Sequence, residues 1–218
     1  MSSSTPLVAP PHILQLLSTL HKKRKARVVS SDILDSLADS QTPVLKQDEF
    51  DRLMLDKFIA LDADKCQFVY QLLTAMGATT VIEADTSFGV SAIYLALAVG
   101  KTAARTGTSG TVIATEKEPS KAAIARGFWA ECGPGVERVI VLREGDLLVT
   151  LQEGVSEVDV LLLDTWCALE LPTLKTVLPR LRGYKELLAF LRDPGNGFRN
   201  VTLPFTGGRG FEMNTYSP

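Results

Sequence analysis

The sequence predicts an α/β fold of the doubly wound, Rossmann-like kind, with a helical region in front of it. Three observations predict it. From residue 78 onward, short β-rich runs alternate with helical patterns, as parallel strands joined by crossover helices do. One of these runs, Val158-Asp159-Val160-Leu161-Leu162-Leu163, is apolar at all but one position, as a strand covered on both faces must be. Residues 12–77, in contrast, space their apolar side chains by three and four.

The elements follow in order. Residues 1–11 are rich in Ser and Pro and are expected to form a flexible tail. Ile13, Leu16, Leu17 and Leu20 then mark a helix, and His21-Lys22-Lys23-Arg24-Lys25 closes it with cations that suit a helix C-terminus. Ser31-Asp32 precedes a second short helix carrying Ile33, Leu34 and Leu37. A helical pattern runs over 46–75, broken near Asp62 to Asp64 and closed by Gly77. Residues 12–77 thus read as a helical cap.

Strands are expected at 79–83, 110–115, 138–142 and 158–163. Helices are expected at 87–99, at 119–132 with Pro119 in its first turn, and, shorter, at 146–152. The Gly/Thr-rich stretch 101–110 reads as a flexible connection. After the fourth strand, 171–182 and 184–191 both read as helix, with only Gly183 between them, where a doubly wound sheet should return a strand. The end, 200–204 and 211–216 around Gly207, Gly208 and Gly210, reads as an antiparallel β-hairpin. Residues 78–218 are expected to form one cofactor-binding domain that lacks one central strand.

Composition narrows the function. The 218 residues carry 23 Lys+Arg against 25 Asp+Glu, a net charge of −2, so no strong field draws the chain to nucleic acid or an anionic membrane. Cys66, Cys132 and Cys167 are scattered and odd in number, which argues for a reducing compartment. No apolar stretch approaches the ~20 residues of a membrane span, and the first residues lack the regions of a signal peptide. A cytoplasmic protein without nucleic-acid or membrane partners is expected.

Ligands of such sheets bind beyond the carboxyl ends of the strands. Here those ends offer Glu83 and Asp85, Glu116, Glu144 and Asp146, and Asp164. Acids at every strand end disfavour a pyrophosphate, and neither Gly-x-Gly-x-x-Gly nor a P-loop is present, so a dinucleotide oxidoreductase is the weaker reading. An adenosine with a cationic amino-acid tail fits better. Glu116 would accept from the ribose hydroxyls, carboxylates near the first strand would hold the ammonium, and Asp146 with the backbone at Leu147 would meet the adenine edge. Glu116 as a helix-capping anion and Asp164 as a strand terminator remain the structural alternatives.

The run Val81-Ile82-Glu83-Ala84-Asp85-Thr86-Ser87-Phe88-Gly89-Val90-Ser91 resembles the first motif of the small S-adenosylmethionine-dependent O-methyltransferases of the catechol and caffeoyl-CoA type, Glu-x-Gly-Thr-x-x-Gly-x-Ser. Residues 110–132 are similar to that family's second strand and helix, and Glu144-Gly145-Asp146 to its adenine-side loop. Leu203-Pro204-Phe205 and Phe211-Glu212-Met213 resemble its closing hairpin, and the wording around Asp62 and Asp164 resembles fungal members. The resemblance covers roughly residues 46–218. It implies an S-adenosylmethionine cofactor held by Glu83, Asp85, Thr86, Ser91, Glu116, Asp146, Leu147 and Asp164. It also implies methyl transfer to a small phenolic or secondary-metabolite acceptor, with Asp164 as base or electrostatic partner and a homodimer as the expected assembly. Trp166, Met54 and Lys57 would border the acceptor, although packing explains them equally well.

The chain departs from the family pattern twice. Asp85 stands at the first glycine, adding bulk and charge beside the cofactor tail in a backbone conformation that Asp tolerates better than most residues. The fifth strand and its Asp-Asn metal ligands are missing. Asp164 alone cannot give Mg²⁺ its octahedral oxygen set, so a divalent metal is not expected. These departures support a second reading, a catalytically impaired homologue that serves as a binding or dimerisation partner.

Overall fold

The structure, a computed structural model, describes residues 6–26, 58–181, 198–203 and 211–216. Four parallel strands, β1 (Thr80–Ala84), β2 (Thr111–Glu116), β3 (Ile140–Glu144) and β4 (Val160–Leu163), form a sheet in the order β3-β2-β1-β4. The order reverses at β1, which pairs β2 on one side, Glu83 opposite Ala114, and β4 on the other, Glu83 opposite Leu162. The four strands stand within one or two residues of their expected places. Each is short and rich in Val, Ile and Leu, and β1 and β2 are buried from their second residue on. This is the doubly wound fold that the alternating pattern predicts.

Helix α1 (Pro11–Ala26) buries Ile13, Leu17 and Leu20, the stripe its spacing predicts. The tail expected before it is packed where it is described. Leu7 is buried in the main core, and the Pro6 carbonyl accepts from Gln71 Nε2 at 2.9 Å. Leu7 is apolar enough for burial to outweigh the Ser/Pro character around it. Asp62 stands at the N-cap of α2 (Ala63–Met76), as the expected break requires, and Gly77 ends the helix in the left-handed conformation. The short helix expected at 31–37 and the pattern over 46–57 lie outside the described residues.

The connection expected over 101–110 is a helix for most of its length. Helix α3 (Val90–Thr106) runs straight through Gly100 and stops at Gly107. A glycine inside a helix costs only ~1 kcal/mol relative to alanine. Beyond it, Lys101, Ala103, Ala104 and Arg105 are good helix formers, and Thr102 is buried. Helix α3 is the central helix of the fold and packs most closely on α2.

Helix α4 (Pro119–Cys132) has the expected bounds, with proline in its first turn. A turn of helix, α5 (Pro134–Glu137), leads into β3, and another, α6 (Leu147–Thr150), follows it. Helix α7 (Cys167–Val177) and a 3₁₀ turn (Leu178–Arg180) follow β4, four residues earlier than the expected helix at 171–182. The chain then touches the sheet once more. Leu181 bridges Val158 in parallel, and the Val158 amide donates to the Arg180 carbonyl at 2.9 Å. A fifth parallel strand would begin there. Among the described residues the sheet instead ends at β4, in keeping with the expected missing strand; the helix expected at 184–191 lies outside those residues. The closing hairpin forms, as β5 (Phe198–Leu203) paired antiparallel with β6 (Phe211–Tyr216), in a two-stranded sheet of its own.

Asp159, the single polar residue of the fourth apolar run, has a structural task. Its Oδ2 accepts from the Thr79 and Thr80 amides at 2.8 and 2.9 Å and from Thr79 Oγ1 at 3.0 Å. It thereby pins the start of β1 against the approach to β4. Asp159→Ala leaves those donors without their charged acceptor and is expected to destabilise the protein by about 3 kcal/mol. The shift of the urea midpoint measures this; a midpoint within experimental error of the wild type would refute it.

Candidate functional site

The cleft is built at the carboxyl ends of β1, β2 and β4, beside the reversal in strand order where α/β sheets leave a crevice. Strand β1 delivers Glu83, and the chain then turns sharply into α3. Two residues of that turn adopt positive φ without being glycine, Asp85 at 69° and Ser87 at 52°. The backbone of the turn is held from the next strand at Asp85 and Thr86. The Asp85 amide donates to Thr115 Oγ1 at 2.9 Å, and the Thr86 amide donates to the Thr115 carbonyl at 2.7 Å. Asp85 thus keeps the left-handed conformation of a glycine, as its tolerance of that region predicts. Gly89 closes the turn at φ 72°, and its carbonyl accepts from Trp129 Nε1 at 2.9 Å.

Four carboxylates converge there. Glu83 is fully buried, its Oε2 accepting from Thr86 Oγ1. Its Oε1 is buried with no donor among the described residues. Burial pushes the Glu83 carboxyl up to about 7; the hydroxyls of Ser91 and Thr86 oppose that shift, and the charges of Asp164 and Asp85 add to it. Glu116 is 3% exposed. Its Oε1 accepts from the Glu118 amide at 2.7 Å, while Oε2 is buried without an N–H or O–H donor. Desolvation lifts it to about 7, against the Glu118 hydrogen bond and with the help of Asp85. Asp164, just past β4, is raised to about 6, first by burial and then by Asp85; Lys65 and Arg24 pull the other way.

Asp85 joins the cluster from the turn. Its carboxyl lies in hydrogen-bonding reach of Glu116 and beside the Thr165 hydroxyl. Burial raises its proton affinity more than the Lys121 charge lowers it. Glu83, Asp85, Glu116 and Asp164, read from the sequence as one rim, therefore stand together at one end of the sheet. So do Thr86 and Ser91, both buried.

The remaining candidates lie around this centre. Asp146 caps α6, its Oδ1 accepting from the Leu148 amide at 2.8 Å, and Leu147 is buried beneath it. Trp166 is 40% exposed at the start of α7. Met54 and Lys57 lie outside the described residues. Glu144 turns away to a surface pair with Arg126.

Sequence reasoning missed Lys121. One turn into α4, it is a buried cation that offsets Asp85, and its Nζ sits 5.6 Å from the Phe88 ring centroid. The signal was its place five residues after Glu116, on the first turn of the helix that follows. Phe58 reaches the same wall, stacked on Phe88 at 4.6 Å. Thr115 was also overlooked, because a threonine inside a strand is ordinary.

The two histidines serve packing: His12 Nε2 lies 3.4 Å from the Cys132 carbonyl and His21 Nε2 3.0 Å from the Tyr94 hydroxyl. His21 and Tyr94 also border a cavity of about 370 Å³ between α1, α2 and α3. None of the strand-end carboxylates lines it. Among the described residues, no three His, Cys, Asp or Glu side chains gather as a metal ion would need.

Sheet order, strand-end crevice and motif turn together define a Rossmann-like methyltransferase fold. Solved structures agree. Cofactor-bound Rv0187 from MTB matches with a TM-score of 0.62 at 17% identity, over 97% of this chain and 93% of its own. The O-methyltransferase TomG from Streptomyces achromogenes, in complex with SAM, matches at 0.61 and 17%, over 99% and 94%. The SAH-bound Podospora anserina methyltransferase PaMTH1 matches at 0.59 and 13%, over 96% and 89%. The model of the O-methyltransferase family matches residues 38–165, more than half of the sequence, and the chain belongs to that family. No curated protein matches it by sequence.

Proposed function

We propose that the protein is an S-adenosylmethionine-dependent O-methyltransferase acting on a small phenolic acceptor. The observation that carries this reading is a pair of buried carboxylate oxygens without donors, Glu83 Oε1 and Glu116 Oε2, at the ends of adjacent strands. Buried polar atoms of this kind cost stability unless something satisfies them. Ribose hydroxyls and an ammonium are donors of the required type. Glu116 takes the ribose, and Glu83, with Asp164 behind it, takes the ammonium. The turn from Thr86 to Ser91 opens α3, whose N-terminal amides suit the carboxylate of an amino-acid tail. Asp146 and the backbone at Leu147 border the adenine.

When bound, the cofactor supplies an electrophilic methyl group on a sulfonium. The chain's own residues orient the acceptor and move its proton. Asp164, raised to about 6, is poised near neutrality, as a general base should be. Trp166 is exposed enough to wall an aromatic acceptor. No helix among the described residues is long and apolar enough to cross a membrane. A cytoplasmic homodimer in secondary metabolism, taking a small-molecule substrate, completes the reading.

One observation favours a second reading, a binding or dimerisation partner without turnover. Asp85 places a carboxylate where the cofactor tail must pass. Calorimetry with S-adenosylhomocysteine tests the cofactor site itself. The wild type is expected to bind, and Glu116→Ala to bind about 10- to 100-fold more weakly, the loss of hydrogen bonds to a charged acceptor. Absence of heat up to millimolar ligand would overturn the methyltransferase reading.

A further inference from the structure

We propose that Asp85 is a specificity-determining residue of the cleft: it must hold a proton to admit a nucleoside whose amino-acid tail carries a carboxylate, and it ignores a nucleoside without that tail. The inference rests on the cofactor reading above and deepens it.

Geometry leaves Asp85 little freedom. Its amide is tied to Thr115 Oγ1 at 2.9 Å, and its backbone stands in the left-handed region. That backbone sets its carboxyl near Glu116 of β2 and Thr165 after β4, the two side chains that act on it. The charged groups around it are Glu83 on its own strand, Glu116 on β2, Glu118 and Lys121 at the start of α4, and Asp164 after β4. Lys121 is the cation that acts on it directly; Arg24 and Lys65, which act on Asp164, are both paired with Asp62. One lysine against this many carboxylates does not neutralise the cleft.

Two neighbouring carboxyls, Glu116 buried and Asp85 half-buried, settle by sharing one proton. Ribose hydroxyls donate to Glu116 and favour its ionised form, so the shared proton moves to Asp85. A tail carboxylate at the mouth of the 86–91 turn then faces a neutral acid instead of a second anion. When the free cleft has lost that proton, binding must recover it from solvent. Affinity for a tail carboxylate therefore falls as pH rises above about 7, where the free Glu116 carboxyl gives up its proton. A ligand with the ribose but no tail makes no such demand.

Calorimetry with S-adenosylhomocysteine and with 5′-methylthioadenosine, between pH 6.5 and 9 in two buffers of different ionisation enthalpy, tests this. For the wild type, S-adenosylhomocysteine affinity is expected to fall by up to about tenfold per pH unit, with uptake approaching one proton. Methylthioadenosine is expected to bind without that fall. Asp85→Asn mimics the protonated acid; it should abolish both slope and uptake and bind S-adenosylhomocysteine at least about tenfold more tightly than the wild type at pH 9. Thermal melts verify folding, and Asp85→Gly is the second variant with the same expectation. The proposal is overturned if either folded variant keeps the wild-type slope, or if methylthioadenosine shares it, while the cofactor reading stands. If the wild type and both variants bind neither nucleoside, the cofactor reading itself fails and this inference falls with it.

Discussion

Gly89→Ala is expected to destabilise the protein by about 3–4 kcal/mol. Two independent costs add. A Cβ at Gly89 would lie 2.6 Å from Trp129 Nε1 and 2.7 Å from two further atoms of the indole, a distance at which something must move. The ring cannot swing aside, because it is buried and its Nε1 is bonded to the Gly89 carbonyl. Overpacking of this kind costs roughly 1–3 kcal/mol. The left-handed backbone, φ 72°, adds roughly 1–2 kcal/mol for any residue with a Cβ. The damage should also reach function, since Gly89 closes the turn that carries Asp85, Thr86 and Ser87. Gly107→Ala is the control: it shares the left-handed backbone, with φ 70° and ψ 22°, but a Cβ there meets nothing within 4 Å. Denaturant unfolding of the two variants separates the steric cost from the backbone cost. Equal losses at both sites would show that the indole contact is unimportant.

The second expectation concerns pH. A carboxyl whose proton affinity is raised in the folded state binds its proton more tightly there than in the unfolded chain. Stability is then fully present below the unfolded value, near 4.5 for glutamate, and is lost as pH rises through the folded value. For Glu83 and Glu116, both pushed up to about 7 chiefly by burial, the window of loss runs from about 4.5 to about 7. Asp164 adds a loss that begins near 3.8 and ends near 6. The ligand-free protein should therefore melt at a higher temperature at pH 5 than at pH 8, the reverse of a protein held by ionised carboxylates in salt bridges. Glu83 alone accounts for about 3 kcal/mol of the difference. Glu83→Gln keeps a carbonyl oxygen that can accept from Thr86 and carries no titrating proton, so its melting temperature should vary less over this range, by the Glu83 share, while Glu116 and Asp164 keep theirs. A wild-type melting temperature that is flat or rising between pH 5 and pH 8 would contradict the assignment of neutral buried acids.

The same two residues show how much of the site could be read from the sequence. That Glu83 and Glu116 stand at the ends of adjacent strands follows from local pattern: each ends a short β-rich run and precedes a helical one, and the crossover between them fixes which edge they share. That they are buried, half-satisfied and near neutral does not follow. It requires Thr86, Ser91 and Asp85 to close on them through the turn, and Asp164 to arrive from a strand eighty residues further along. Lys121 illustrates the same limit, since a lysine in a helix's first turn looks solvated until the tertiary fold lays it over Phe88. Residues 101–106 show the opposite error: their text reads as part of a Gly/Thr-rich connection, yet they continue α3, and Thr102 among them is buried.

By itself, then, the sequence determined the wound sheet, the strand order's helical crossovers and the rim of acids, because hydrophobic period and turn chemistry are local and survive as text. Only the tertiary structure decided which acids burial pushes toward neutrality, why Gly89 tolerates no methyl group, and which charges surround Asp85. Those properties depend on desolvation and on charges from distant segments, and neither exists until the chain has folded.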